Sequence, residues 1–271
     1  MHLILLLLFF PFSVQADIFQ WQDSKGNTHY SDQPHQGAKT LKIEPGYSFT
    51  QVKKVYDGDT ILLANGNKIR LLGINTPEIE GRYKSVSEAG GEAAKQWLKK
   101  TILKQKVRVE IDVEKHDKYS RILAHVFTAD KQHINLELVK NGYASVNIHP
   151  PNLKYTAELL AAQKKAEQTQ LGIWSHTEYS PKHFSTINRS NYKGWHRIKG
   201  KVQSISQTRK YISLTLSDAF SLKINKKSLE LFSDLGDFID AEIEVRGWIN
   251  KQKKRYTIYI RHPSQIVIFP I

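Results

Sequence analysis

Residues 55–78 read V-Y-D-G-D-T-I-L-L-A-N-G-N-K-I-R-L-L-G-I-N-T-P-E. Short apolar runs are separated by D-G and N-G, dipeptides that turn a chain back on itself because both accept positive φ. The stretch predicts closely paired strands over Gln51 to Tyr56, Thr60 to Leu63 and Lys68 to Leu72, and Val107 to Val113 and Ile122 to Thr128 carry the same pattern further on. Ala89, Ala93, Ala94, Trp97 and Leu98 recur at helical spacing between the third and fourth strands. A second helix is expected from about Asn135 to Asn141, stopped by Gly142, and a third from about Tyr155 to Thr169, with Leu159, Ala162 and Ala166 on one face. Five strands with a helix between the third and fourth predict a small Greek-key barrel of the oligonucleotide-binding type, within a mainly β, α+β chain.

Working outward, residues 177–195 are polar, contain Pro181 and show no sustained period, so they are expected to link the barrel to a separate C-terminal domain. Strand patterns resume at Ile198 to Ser206, Tyr211 to Leu216, Ala219 to Ile224, Ala241 to Trp248 and Tyr256 to Ile260, with a short helix around Leu229 to Phe232. They predict a second small OB-like barrel over 196–271. Upstream, Ile18 to Pro34 (I-F-Q-W-Q-D-S-K-G-N-T-H-Y-S-D-Q-P) reads as a hairpin around Ser24 to Asn27. A leucine- and phenylalanine-rich run too short to span a bilayer precedes it and ends at Val14-Gln15-Ala16, small residues of the kind a signal peptidase reads. Residues 1–16 are expected to be removed as a signal peptide, which makes the protein periplasmic or secreted; the lack of Lys or Arg before the run leaves an uncleaved anchor as the alternative.

The chain has 271 residues, with 40 Lys and Arg against 26 Asp and Glu, a formal charge of +14 that draws polyanions, nucleic acid first, with anionic lipid as the bland alternative. It contains no cysteine, which excludes disulfides, thiolate zinc sites and cysteine lipidation. The 11 histidines form no H-x-x-x-H pair, and Ser120 has no evident histidine base.

Chemistry concentrates in D-G-D-T (57–60), R-L-L-G-I-N-T-P-E (70–78) and D-K-Y-S-R (117–121). Singly, each has a structural explanation: a hairpin turn, a helix start capped by Thr76, a charged loop with surface arginines. Together they supply acidic and amide oxygens for a hard cation, a glutamate base and two arginines that can fork onto a phosphate, the components of a phosphodiesterase site.

With these motifs in order, residues about 50 to 176 resemble the staphylococcal nuclease (thermonuclease) family, down to the closing L-G-I-W-S at 171–175. The resemblance implies an endonuclease that hydrolyses phosphodiester bonds of DNA and RNA with Ca2+, favouring single-stranded or exposed substrate. Asp59, Asn75 and the backbone carbonyl of Thr76 would bind the ion, with Asp57 supporting them. Glu78 would serve as base toward the attacking water, Arg70 and Arg121 would hold the phosphate and its transition state, and Lys118 and Tyr119 would contact the neighbouring phosphate. Two departures stand out: Asn75 replaces the family's usual aspartate, and N-I-H-P-P (147–151) stands where the family prototype has tyrosines beside the nucleotide. A catalytically weakened nucleic-acid or envelope binding module therefore remains the alternative. The N-terminal segment resembles a short module, of unknown function, found in bacterial envelope proteins, and implies an envelope partner docking through residues 17–45. Aromatic residues among lysines in the distal strands suit either a nucleic-acid surface or ordinary strand packing.

Overall fold

The computed structural model describes residues 18–41, 48–80 and 87–269. The signal-peptide expectation for 1–16 lies outside them. Two compact units divide the chain between Ser48 and Phe49. The first contains β1 (Ile18–Gln22), β2 (Thr28–Ser31) and β3 (Lys39–Leu41), all antiparallel, with β1 in the centre. The expected hairpin thus acquires a third strand. Asp23 holds its turn, accepting from the backbone N–H of Lys25 and Asn27 and facing His29 Nε2 at 3.0 Å. The His29 contact is the leading cause of its lowered pKa. Trp21 stacks on His29 and His35.

In the second unit, β4 (Phe49–Val55), β5 (Thr60–Leu63), β6 (Lys68–Leu71), β8 (Lys106–His116) and β9 (Ile122–Thr128) close a five-stranded barrel in the order β4-β5-β6-β9-β8. The two-residue β7 (Ile74–Asn75) pairs with β10 (Ser145–Val146) outside the ring. α1 (Gly91–Ile102) lies between β7 and β8 in sequence, with α2 (Ile134–Lys140) and α3 (Thr156–Gln168) later in the chain. Inward residues of the strands, including Val52, Ile61, Ile69, Val107 and Val126, share one core with Leu98 and Ile102 of α1, Leu138 of α2 and Leu159 of α3. This alternation in strands and three-to-four spacing in helices is why the pattern folds as it does. α1 begins two residues after Ala89 because Gly90 takes a left-handed φ of 88° and Gly91 packs against the Pro77 and Glu78 carbonyls. β8 runs on to His116, beyond the predicted end, as one arm of the hairpin that carries 117–121.

The remaining strands are β11 (Lys182–His183), β12 (Trp195–Lys201), β13 (Ser204–Gln207), β14 (Tyr211–Ser217), β15 (Phe220–Asn225), β16 (Glu242–Gln252), β17 (Arg255–Ile260) and β18 (Ile266–Ile268). They form one sheet in the order β11-β12-β16-β17-β15-β14-β13, with β18 on β16. The single strand predicted for 198–206 is broken at Val202-Gln203, so β12 pairs with β16 while β13 pairs with β14. The chain itself closes this sheet around a second core.

Residues 177–195, read from sequence as the linker, follow a packed path. Their β11 pairs with β12, Ile187 is buried in the second core, and Phe184 covers Gly200, where a Cβ would meet its ring at 2.5 Å. Burying those two side chains gives the segment a fixed path that its polar composition concealed. Residues 49–271 are accordingly one compact unit. A charged cluster ties α3 to the second sheet: Arg246 forks onto Glu167 at 2.6 and 2.8 Å, and buried Glu244 accepts from Arg197 and Arg246.

Candidate active site

The D-G-D-T turn is pressed against Thr76 and α1. A Cβ on Gly58 would lie 2.7 Å from Thr76 Cγ2 and 2.8 Å from Ala94 Cβ, so the close approach requires glycine. Asp57 Oδ1 accepts the Asp59 N–H at 3.0 Å and sets the turn. Burial, and after it the neighbouring Asp59 charge, raises the Asp57 pKa.

Buried Asp59 is the hub. Its Oδ1 accepts from the Thr60 hydroxyl at 3.1 Å, and its Oδ2 accepts from Thr76 N–H and Oγ1–H, each at 3.1 Å. Arg70 Nη1 stands 2.9 Å from the same Oδ2 and donates to the Leu71 carbonyl at 3.0 Å, while Nη2 donates to Asn75 Oδ1 at 3.4 Å. The Asn75 amide donates to the Thr76 carbonyl at 3.1 Å. Asp59, Arg70, Asn75 and Thr76 are therefore one contiguous group, and Arg121 joins it through Nη1 to Thr60 Oγ1 at 3.3 Å.

Arg121 closes the 117–121 hairpin. Its Nε donates to Asp117 Oδ2 at 2.7 Å, while Asp117 Oδ1 accepts from the N–H groups of Tyr119 and Arg121. Burial alone would raise the Asp117 pKa, but the hydrogen bonds from Arg121 and Tyr119 outweigh it and hold the carboxyl low. Lys118 Nζ and the Arg121 guanidinium lie over the Tyr119 ring, at 5.0 and 5.5 Å from its centroid. Tyr119 itself is 67% exposed, with these two cations against its ring.

Arg70, Lys118, Tyr119 and Arg121 line a cleft of about 460 Å³. Asp59, Asn75 and Thr76 are outside its lining and adjoin it through Arg70. Glu78 is exposed two residues past Thr76; its backbone is held at both ends by Glu88, whose carboxylate accepts the Glu78 N–H at 2.8 Å and whose N–H donates to the Glu78 carbonyl at 2.7 Å.

Among the described residues no three His, Cys, Asp or Glu converge as a metal cluster. The oxygens expected to bind a cation come instead from one carboxylate, one amide and one carbonyl. Arg70 lies against the first two, 2.9 Å from Asp59 Oδ2 and 3.4 Å from Asn75 Oδ1; an oxygen set of this kind has the chemistry a hard cation takes.

Three residues without an expected role support the site. Thr60 bridges Asp59 and Arg121, Asp117 aims Arg121, and Glu88 anchors Glu78. Thr60 and Asp117 belong to the D-G-D-T and D-K-Y-S-R motifs; Glu88 carries no sequence signal.

A five-stranded closed barrel with the Arg70–Asp59 and Arg121–Asp117 pairs at one edge defines an OB-type protein. The family described as Staphylococcal nuclease homologue matches residues 68–176, and a domain of unknown function (DUF4124) matches residues 5–51. The thermonuclease of Staphylococcus intermedius is 41% identical over 126 residues, 45% of this chain and 74% of that protein. The thermonuclease of Staphylococcus hyicus is 37% identical over 128 residues, 46% of this chain and 75% of that protein. Endonuclease YncB of Bacillus subtilis (strain 168) is 30% identical over 163 residues, 58% of this chain and 76% of that protein. The chain belongs to the staphylococcal nuclease homologue family.

Proposed function

We propose that this nuclease is exported and hydrolyses phosphodiester bonds of DNA and RNA with Ca2+, acting faster on single-stranded or exposed substrate. The Asp59–Arg70 pair at 2.9 Å, joined to Arg121 through Thr60 at the edge of the cleft, carries the proposal. Asp59, Asn75 and the Thr76 carbonyl would hold the ion, which when bound supplies Lewis-acid polarisation of the phosphoryl oxygen. Arg70 and Arg121 donate to the non-bridging oxygens and stabilise the charge that grows on them. Glu78 takes the proton of the attacking water. Lys118 and Tyr119 hold the adjoining nucleotide. Export is supported by the apolar run ending in V-Q-A. Residues 17–45 are assigned to docking in the envelope.

Plasmid nicking by the mature protein tests the proposal. Cleavage should stop with a calcium chelator and return on adding Ca2+, and Glu78→Gln or Arg70→Ala should each lower kcat by about 100-fold or more. Undiminished cleavage in chelator removes the calcium role; full activity of both variants removes the site. One observation favours a binding module instead: Asp59 Oδ2 already has three donors around it. That alternative gives oligonucleotide binding without turnover in the same assay.

A further inference from the structure

One residue of the cleft lining, Arg261, lies outside the segment that the family matches. Arg261 comes directly after the last residue of β17 and lines the cleft together with Arg70, Lys118, Tyr119 and Arg121. Its backbone is fixed: the Arg261 N–H donates to Gln265 Oε1 at 2.7 Å, and the next residue, His262, caps a short helical turn. The guanidinium Nη1 lies 3.4 Å from His149 Nε2, which also faces Asn147 Oδ1 at 3.2 Å.

The cleft's arginines differ in one respect. Arg70 is paired with Asp59 and Arg121 with Asp117, whereas no carboxylate among the described residues lies within ion-pair distance of Arg261. The cleft lining holds two carboxylates, Asp117, already engaged by Arg121, and Glu114. His149 does not act as a counter-ion. Burial, then the Arg261 and Arg70 charges, push its pKa down to about 4, so it stands neutral beside the guanidinium. Arg261 is exposed at the rim of the cleft, and a guanidinium there with no counter-ion among the described residues is free to fork onto a phosphate that arrives.

We propose that Arg261 binds a phosphate of the nucleic-acid strand flanking the scissile one, so that the second sheet completes the substrate cleft of the nuclease barrel. This rests on the cleft being the nuclease site. The four cationic side chains, Arg70, Lys118, Arg121 and Arg261, line one depression, which suits a strand that presents several phosphates better than a mononucleotide.

The test uses the full chain. Affinity for a short fluorescein-labelled single-stranded oligonucleotide is measured in chelator across a range of salt, and steady-state cleavage is measured with Ca2+. Arg261→Ala should weaken binding about 5- to 20-fold and reduce the salt slope by about 0.7, the amount for one phosphate contact on a single strand. Arg261→Glu should weaken it further, and the loss in cleavage should fall on KM more than on kcat. Lys254→Ala, an exposed lysine outside the cleft, removes the same charge and should leave binding and slope within about twofold. Melting temperatures check folding. If both Arg261 variants bind with unchanged affinity and slope, or Lys254→Ala matches Arg261→Ala, the assignment falls while the nuclease site stands. Wild-type binding without cleavage removes the nuclease proposal, and the binding measurement still judges Arg261. Absence of wild-type binding overturns the Arg261 assignment, and the cleavage measurement judges the nuclease site by itself.

Discussion

Substituting Gly58 by alanine tests how the D-G-D-T edge of the barrel is held together. Gly58 has no left-handed φ, so alanine suits its backbone and the effect is steric alone. The new methyl group would sit 2.7 Å from Thr76 Cγ2 and 2.8 Å from both Thr76 Cβ and Ala94 Cβ, each short by about 0.7–0.8 Å of the roughly 3.5 Å at which carbon atoms pack. Either the D-G-D-T turn or the segment carrying Thr76 must retreat, which strains the two Thr76 hydrogen bonds to Asp59 Oδ2. Overpacking of this kind costs about 1–3 kcal/mol. For a unit of this size that is about 2–12 °C in Tm. A displacement approaching an ångström between groups that must act together can lower the rate by about 100-fold, so Gly58→Ala should lose at least tenfold in kcat at temperatures where it remains folded. Thermal melts and plasmid nicking read the two effects. Thr76→Ser removes the nearest clashing atom and keeps the hydroxyl; in the Gly58→Ala background it should restore part of both losses, with a coupling of at least about 0.5 kcal/mol. Gly58→Ala with wild-type stability and rate, or a double variant whose losses simply add, would refute the steric argument.

Two further perturbations concern the scaffold. His125 and His133 are buried with Nδ1 and Nε2 3.1 Å apart, and burial is the main cause that lowers their pKa values to about 4 and about 3. The unfolded chain, with histidine near 6.5, binds protons that the native state refuses, so stability should fall with pH from about 6.5 toward 4, by about 2 kcal/mol per histidine between pH 7.5 and 5; urea titrations should show His133→Gln losing less over that window, and equal slopes would contradict it. Glu244 is 3% exposed and, with Glu167, pairs with Arg197 and Arg246. Burial alone would raise its pKa, but the two arginines outweigh that and lower it. Glu244→Ala should cost about 3–5 kcal/mol because it leaves buried guanidiniums short of an anion, and a chemical denaturation midpoint close to wild type would show that the cluster is not structurally important.

Sequence alone determined the barrel and the order of its parts. D-G at 57–58 and N-G at 65–66 can form tight turns, and the apolar alternation around them permits one register, because a slip by a single residue exposes the inward set. The motifs also named the residues whose chemistry suits a phosphate, since Asp, Glu and Arg bring their functional groups wherever the backbone takes them. Pairing was another matter. That Arg70 rests on Asp59, that Asp117 aims Arg121, that the polar stretch 177–195 is packed and that Arg261 reaches the cleft were decided only by tertiary structure. Turns and periodicity are local and repeat along the chain, so they can be read from it. A contact between residues 149 and 261 depends on how two closed sheets dock, and no local pattern encodes that.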